Sequence, residues 1–451
     1  MKFPLFTSVY CLIHATCSLA ITDKLSVPSH VSIKKQSHQY QLEINGAAFN
    51  IKGAGLNYPD GHNFQALKAA GANSFRTWST DYAEQELAAA KEFDLMVAMG
   101  IDLKKELHGF DYDDSQAVTA QFNWVKEQVD KYKDHPNLLV WVVANEPNLL
   151  FDQSGQLIPV NPKVYDAISD IIDYIHQVDP HHPVTYTYAG VIKPHLEEGL
   201  ARTPNVDFVS VQVYGDLADI KQHIIATNIN KPFMVTEFGP LGHWEVPSTN
   251  WGQPIEEPSA VKARSMAKRM QLGLADNSTG LIIGAFAFEW GQKQERTPTW
   301  YGMFNKDGKP NARVDEMTRF WTGKYPKNRA PMTEAITINS LLASDSVYLD
   351  PNSEAVANVI ITNQKNNRLT YQWRLLKEVV NVSQGGSFEQ EPETIPLKIT
   401  LPDLQLQHIN KISFQVPKAK GAYRLFVYVY DEHGKVGNAN FPFYVKEKQL
   451  L

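Results

Sequence analysis

The sequence predicts an α/β fold, a (β/α)8 TIM barrel followed by a small C-terminal β-sandwich. Three observations predict it. Between residues 48 and 323, apolar runs of strand length alternate with segments of helical period, eight times over. The runs are nearly all apolar, as strands of a parallel sheet buried on both faces must be. Beyond a proline-containing stretch at 324–331, the helical period disappears and short alternating strands take over.

The first twenty residues have one positive charge at Lys2, an apolar run through Leu5, Val9, Leu12 and Ile13, and the small-residue ending Ser18-Leu19-Ala20. They read as a signal peptide, 1–20, cleaved on export to the periplasm or the medium. The competing reading is a lipoprotein acylated at Cys17. Both cysteines, Cys11 and Cys17, lie in this segment, so cleavage would leave no thiol chemistry and no disulfide. No later run approaches the ~20 apolar residues of a membrane span, so no integral membrane segment is expected after cleavage. Residues 21–47 then read as a β-hairpin region capping the barrel, with Asn45-Gly46 as a turn.

Barrel strands are expected at 50–56, 74–78, 95–100, 138–146, 184–188, 208–214, 233–238 and 281–290. Helices are expected at 64–70, 84–93, 116–132, 164–178, 220–227 and 260–275. After the linker 324–331, strands at 347–349, 355–362, 369–375, 395–401, 412–416 and 423–430 imply a sandwich over 332–451, immunoglobulin- or fibronectin-like. That part has no strand-end carboxylate pair and no aromatic-rich loop, so a structural role with weak glycan binding at most is expected of it.

Composition narrows the function. The 451 residues carry 43 Lys plus Arg against 49 Asp plus Glu, a formal net charge of −6, so no basic surplus exists to neutralise nucleic-acid phosphates. With 43% hydrophobic and 20% charged residues the chain is not disordered. A carbohydrate ligand and a monomer are expected, with no nucleic acid, no cofactor and no metal. The first strand has no His-x-His, and His181-His182 precedes its strand rather than following it. The run Asp111-Tyr112-Asp113-Asp114 reads either as a cation loop or as a solvated acidic loop.

Two strand ends carry the chemistry. The fourth barrel strand finishes Ala144-Asn145-Glu146-Pro147 and the seventh Val235-Thr236-Glu237-Phe238, each placing a carboxylate at the C-terminal mouth, where barrel enzymes act. Strands four and seven face each other across a closed eight-stranded mouth. Two converging carboxylates suit glycosidic cleavage, one protonating the leaving oxygen and the other attacking or activating water.

Asn145-Glu146-Pro147 together with Thr236-Glu237-Phe238-Gly239 resembles clan A of the glycoside hydrolases. The barrel is similar above all to the TIM-barrel domain of family 2, with likeness to families 5 and 72. The resemblance implies a retaining glycosidase acting on β-linked glycans, with Glu146 as acid/base and Glu237 as nucleophile. It implies Arg76 beside the nucleophile, Asn145 on the sugar 2-hydroxyl, Tyr214 bonded to the nucleophile and Trp290 as the floor of the sugar site. Gln212 departs from the pattern, standing where several clan families have Asn. Trp244 and Trp300, in the loops after strands seven and eight, either stack on sugar rings or pack those loops. Glu289 is a third carboxylate, pointed opposite to Trp290 by strand alternation. A transglycosylase would use the same residues, and a non-catalytic carbohydrate-binding barrel is the more remote alternative.

Overall fold

The computed structural model describes residues 27–56, 63–362, 368–383, 386–399 and 410–447. The signal peptide expected at 1–20, with Cys11 and Cys17, lies outside the described residues. The described chain opens with an antiparallel sheet of β1 (Val31–Gln36), β2 (Gln39–Ile44) and β3 (Ala47–Ala48). Asn45 and Gly46 turn between β2 and β3 at φ 52° and 79°, the pair of left-handed residues a two-residue hairpin needs. Val31 and Leu42 of this sheet share an apolar cluster with Leu139, Phe208, Met234 and Phe286 of the barrel. Val31 N–H donates to His181 O, and Tyr40 N–H to Gly280 O, both at 2.8 Å. Those acceptors lie in the loops that enter two barrel strands, so the small sheet closes the end opposite the strand-end carboxylates.

The barrel strands are β4 (Gly53–Gly55), β5 (Ser74–Arg76), β6 (Met96–Ile101), β7 (Leu138–Asn145), β8 (Val184–Ala189), β9 (Val209–Gln212), β10 (Phe233–Phe238) and β11 (Ile282–Ala287). They pair in parallel in that order, and β11 returns to β4 to close the barrel. Each strand falls inside the apolar run that predicts it or overruns it by one residue, with ends that differ by up to three. Between them run α1 (Phe64–Ala69), α2 (Ala83–Phe93), α3 (Ser115–Tyr132), α4 (Lys163–Val178), α5 (Lys193–Arg202), α6 (Ile220–Thr227) and α7 (Ser259–Gly273), and α8 (Ala312–Thr322) follows β11. In α4, Ile168, Ile171, Ile172 and Ile175 recur at helical spacing and bury one face against the strands. The acidic run before α3 has a local use. The Asp114 carboxylate accepts from Gln116 and Ala117 N–H and caps that helix, and Asp113 pairs with Lys163 at 2.7 Å.

Two sheets follow the barrel. β12 (Met332–Ile338), β14 (Glu354–Thr362) and β17 (Lys411–Gln415) form one, in the order β12-β14-β17. β13 (Tyr348–Leu349), β15 (Thr370–Lys377), β16 (Thr394–Ile395), β18 (Gly421–Tyr430) and β19 (Val436–Val445) form the other, in the order β13-β19-β18-β15-β16. Ile338, Val359 and Phe414 of the first meet Leu425, Val427, Phe441 and Phe443 of the second in a shared core.

This pair of sheets is fastened to the barrel by buried polar groups. Glu256 accepts from Lys262 Nζ, from Thr299 Oγ1 at 2.8 Å and from Asn440 Nδ2 at 2.5 Å. Arg424 donates to Glu378 at 2.9 Å, to Asn440 at 2.8 Å and to the carbonyl of Pro254 at 2.9 Å. Burying these charges is tolerable because each is paired and hydrogen-bonded.

Candidate active site

The mouth of the barrel holds a pocket of about 1410 Å³ lined by Glu146, Glu237, Asn145, Gln212, Tyr214 and Trp78, among others. Consecutive residues of a regular strand face opposite ways, yet both Asn145 and Glu146 line this pocket. The pairing of β7 with β8 shifts register between Val142 and Asn145, and Ala144 and Glu146 take φ of 65° and 53°. That bulge re-aims the strand end. Left-handed backbone at two non-glycine residues costs of order 1–3 kcal/mol each, which the surrounding barrel must offset. Thr187 helps, since its carbonyl accepts from Glu146 N–H at 2.9 Å.

Glu237 is held from several strands at once. Its Oε1 accepts from Arg76 Nη1 at 2.8 Å, Trp78 Nε1 at 2.6 Å and Gln212 Nε2 at 2.8 Å. Its Oε2 accepts from the Tyr214 hydroxyl at 3.0 Å. Burial and the neighbouring Glu237 charge push the Tyr214 hydroxyl well above its usual pKa, so it stays a donor. Arg76 also donates to Thr236 O at 3.0 Å and to Asn145 Oδ1 at 2.8 Å, tying β5, β7 and β10 together. Gln212 donates to Asn145 Oδ1 at 2.6 Å. With Oδ1 so engaged, the Asn145 amide must present its NH2 elsewhere. Gln212 Oε1 is buried and has no partner among the described residues.

Glu146 sits in the opposite electrostatic situation. Among the described residues no donor is bonded to its carboxyl, and burial pushes its pKa up to about 7. The Glu237 and Glu295 charges push the same way, against Lys105 and Arg76. The two carboxyls of one pocket thus differ in surroundings: Glu237 accepts from four donors, and Glu146 is buried with its pKa raised. Around them, His243 is pulled down to about 3 by burial and by Arg296. Arg296 Nη2 lies 2.9 Å from His243 Nε2, which must therefore accept, and the ring proton sits on Nδ1, 3.2 Å from the Tyr301 hydroxyl.

The remaining sequence-predicted residues divide. Trp244 is 62% exposed and stands at the pocket wall, its ring edge-on to Tyr214 at 5.7 Å. Arg76 is buried beneath Glu237 and does not reach the pocket lining, so it holds the carboxylate rather than a ligand. Trp290 is a correction. It is fully buried, packs on Phe304 and Trp321 at 5.2 and 5.9 Å, and donates to Asn63 O at 3.2 Å. Beyond the end of β11, Phe288 and Glu289 line the pocket and Trp290 does not. Trp300 is a second correction, buried and donating to Leu241 O at 2.9 Å, where it packs the loop after β10.

Sequence reasoning missed Trp78. It lies two residues beyond Arg76 and so on the same side of the strand, a signal that was available. A Cβ on Gly55 would meet the Trp78 ring at 2.5 Å, so the bare glycine makes room for the indole. Also missed were Lys105 and residues 386–389 of the C-terminal part, all of which line the pocket.

Residues 49–243 match the family model for glycosyl hydrolases family 2, TIM barrel domain. A β-glucuronidase of Streptococcus agalactiae is 26% identical over 302 residues, covering 60% of this chain and 48% of that protein. A probable mannan endo-1,4-β-mannosidase C of Aspergillus terreus is 31% identical over 134 residues, 26% of this chain and 33% of that protein. The β-glucuronidase structure from Bacteroides uniformis superposes with a TM-score of 0.50 at 14% identity, covering 92% of this chain and 48% of that one. The chain thus spans about half the length of the β-glucuronidases it matches. The match is to family 2 and lends nothing to the likeness to families 5 and 72. The strand-end carboxylates on a closed eight-stranded barrel and the matched segment agree: over residues 49–243 the chain is similar to the TIM-barrel domain of the family 2 glycosyl hydrolases.

Proposed function

We propose that the chain is an exported, retaining glycosidase that hydrolyses O-glycosyl bonds in β-linked glycans. The observation that carries this reading is the contrast between its two facing carboxyls. Glu237 is caged by four hydrogen-bond donors, and Glu146 is uncaged with its pKa raised to about 7. In the first step Glu237 Oε2, which has a single donor against three on Oε1, attacks the anomeric carbon. The bond to the leaving oxygen breaks as Glu146 gives that oxygen its proton. In the second step Glu146, now a carboxylate, takes a proton from water. The hydroxide so formed displaces Glu237 from the sugar and returns the starting configuration. The NH2 of Asn145, which lines the pocket, is placed to bond a sugar hydroxyl. The relatives carry β-glucuronidase and β-mannosidase names, so aryl β-glucuronides and β-mannosides head the substrates to try.

The test is hydrolysis of a panel of aryl β-glycosides, followed by proton NMR of the first-formed sugar. Retention yields the β-anomer first. Appearance of the α-anomer first, or turnover by Glu237→Gln equal to the unaltered enzyme, overturns the mechanism. Export is tested by sequencing the N-terminus of the mature protein. A start near Ile21 supports it, and an intact Met1 on the active protein overturns it.

A further inference from the structure

Five described residues of the C-terminal part, Ser383, Gly386, Ser387, Phe388 and Glu389, line the same pocket as Glu146 and Glu237. They are held there by specific bonds. Glu389 is buried, and its Oε1 accepts the backbone N–H of Arg296 at 2.6 Å. Its Oε2 accepts from Ser383 N–H at 3.1 Å. Lys293 Nζ donates to Gly386 O at 2.7 Å, and Ser387 Oγ lies 2.8 Å from His108 Nε2. The segment therefore bridges the loop after β11 and the loop after β6.

Between those anchors Phe388 is 91% exposed while lining the pocket. Val380 and Val382, on the same stretch of chain, are 87% and 53% exposed. An exposed phenyl ring standing in a polar cleft is placed to meet a ligand. The pocket, at about 1410 Å³, also exceeds the roughly 300–1,000 Å³ of a site for one small ligand. Trp78, Tyr214 and Phe288 already surround the carboxylates, so the space along residues 386–389 is room for something beyond the sugar being attacked.

We propose that the C-terminal part completes the substrate cleft, with Phe388 as the stacking platform for a second sugar ring of a β-linked oligosaccharide. This rests on the glycosidase reading above. A pyranose ring has an apolar face for the phenyl ring and a rim of hydroxyls for polar groups such as Glu289, Gln292 and His108. Glu389 is a positioning residue, since it reaches the ligand only through the segment it anchors.

The test uses the full chain and Phe388→Ala, Phe388→Trp and Glu389→Gln. Substrates are aryl β-monoglycosides and the tetrasaccharides cellotetraose, laminaritetraose and mannotetraose. Phe388→Ala is expected to raise KM for the tetrasaccharide hydrolysed and to lower the tetrasaccharide-to-aryl ratio of kcat/KM about tenfold. Phe388→Trp restores that ratio, and Glu389→Gln moves it in the same direction as Phe388→Ala. An unchanged ratio in Phe388→Ala overturns the proposal. If the unaltered chain hydrolyses no glycoside, the glycosidase reading fails by itself. Calorimetric titration with the same tetrasaccharides then decides the platform. At least fivefold weaker binding by Phe388→Ala supports it, and equal binding or none overturns it.

Discussion

Replacing Glu146 by Gln should stabilise the protein, and only above about pH 5. The folded pKa of about 7 stands above the ordinary 4.5 because burial disfavours the charged form. Between those two values the folded chain holds a proton that the unfolded chain releases. Stability therefore falls as pH rises through the window and levels off above about 7. A difference from 4.5 to about 7, at 1.36 kcal/mol per pH unit, corresponds to about 3 kcal/mol. Glu146→Gln keeps the shape of the neutral acid and cannot ionise, so it escapes this loss. The variant should match the unaltered protein at pH 4.5 and exceed it by about 3 kcal/mol at pH 8. At ~2.1 cal/mol/K per residue over a cooperative unit of this size, 1 kcal/mol moves the melting temperature by roughly 1 °C. The assay is calorimetric melting of both proteins from pH 4.5 to 8, where the gap should open from near zero to about 3 °C. A gap independent of pH would refute the reasoning, because it would mean that Glu146 ionises alike in the folded and unfolded chains. The experiment needs no substrate, so it tests the electrostatics of the site apart from its function.

On an aryl β-glycoside with a very good leaving group, Glu237→Gln should lose all activity, while Glu146→Gln keeps its first step because little protonation is needed. Equal losses in pre-steady-state bursts would undo the division of roles. Arg76→Met strands the buried Glu237 and should cost about 3–5 kcal/mol by denaturant titration. Part of that loss should return in the double variant with Glu237→Gln. Trp290→Ala should cost about 3–5 kcal/mol, whereas Trp244→Ala should change stability by less than ~1 kcal/mol and raise KM instead. Lys262→Met leaves Glu256 buried without its cation, at about 3–5 kcal/mol. Against the penalty of burial, Lys262 and its other donors hold Glu256 below its usual pKa, so its stabilising effect is present above about pH 4.5 and lost below it. The variant should flatten that acid limb in a stability–pH profile.

The barrel was legible because buried parallel strands leave uninterrupted apolar runs, and Glu146 and Glu237 were legible because each ends such a run. What surrounds them was legible only in part. The cage of Glu237 draws Arg76 and Trp78 from the end of β5, Gln212 and Tyr214 from the end of β9, and Glu237 itself from β10. Which strand-end residues converge is set by barrel closure and register, quantities that no local window contains. Gln212 was noticed as a departure from a pattern, but its use as the link between Asn145 and Glu237 follows only from the bonds it makes. The misplacement of Trp290 has the same origin. Alternation assigns Glu289 and Trp290 to opposite sides but does not say which side is the pocket, and a tryptophan is the more natural guess for a sugar platform.

The C-terminal part was legible only in part, for a different reason. β19 was not anticipated, because Asn438, Asn440 and Pro442 interrupt its apolar alternation. Asn438 and Asn440 face the barrel instead of solvent. Asn438 N–H donates to Ser259 Oγ at 2.9 Å, and Asn440 donates to Glu256. Pro442 is accommodated because β13, on that side of β19, pairs only with Tyr444 and Val445, so no partner strand there requires its missing N–H. A strand whose outer face is buried against another unit has no solvent-facing polar period to show. The same holds for residues 386–389, whose anchors on Arg296, Lys293 and His108 lie about 90 to 280 positions away in sequence. Polar residues that look solvated in the sequence are here the bonds that bring an exposed phenylalanine to the mouth of the barrel. The part of the chain that the sequence pattern marks as merely structural therefore supplies one wall of the candidate site.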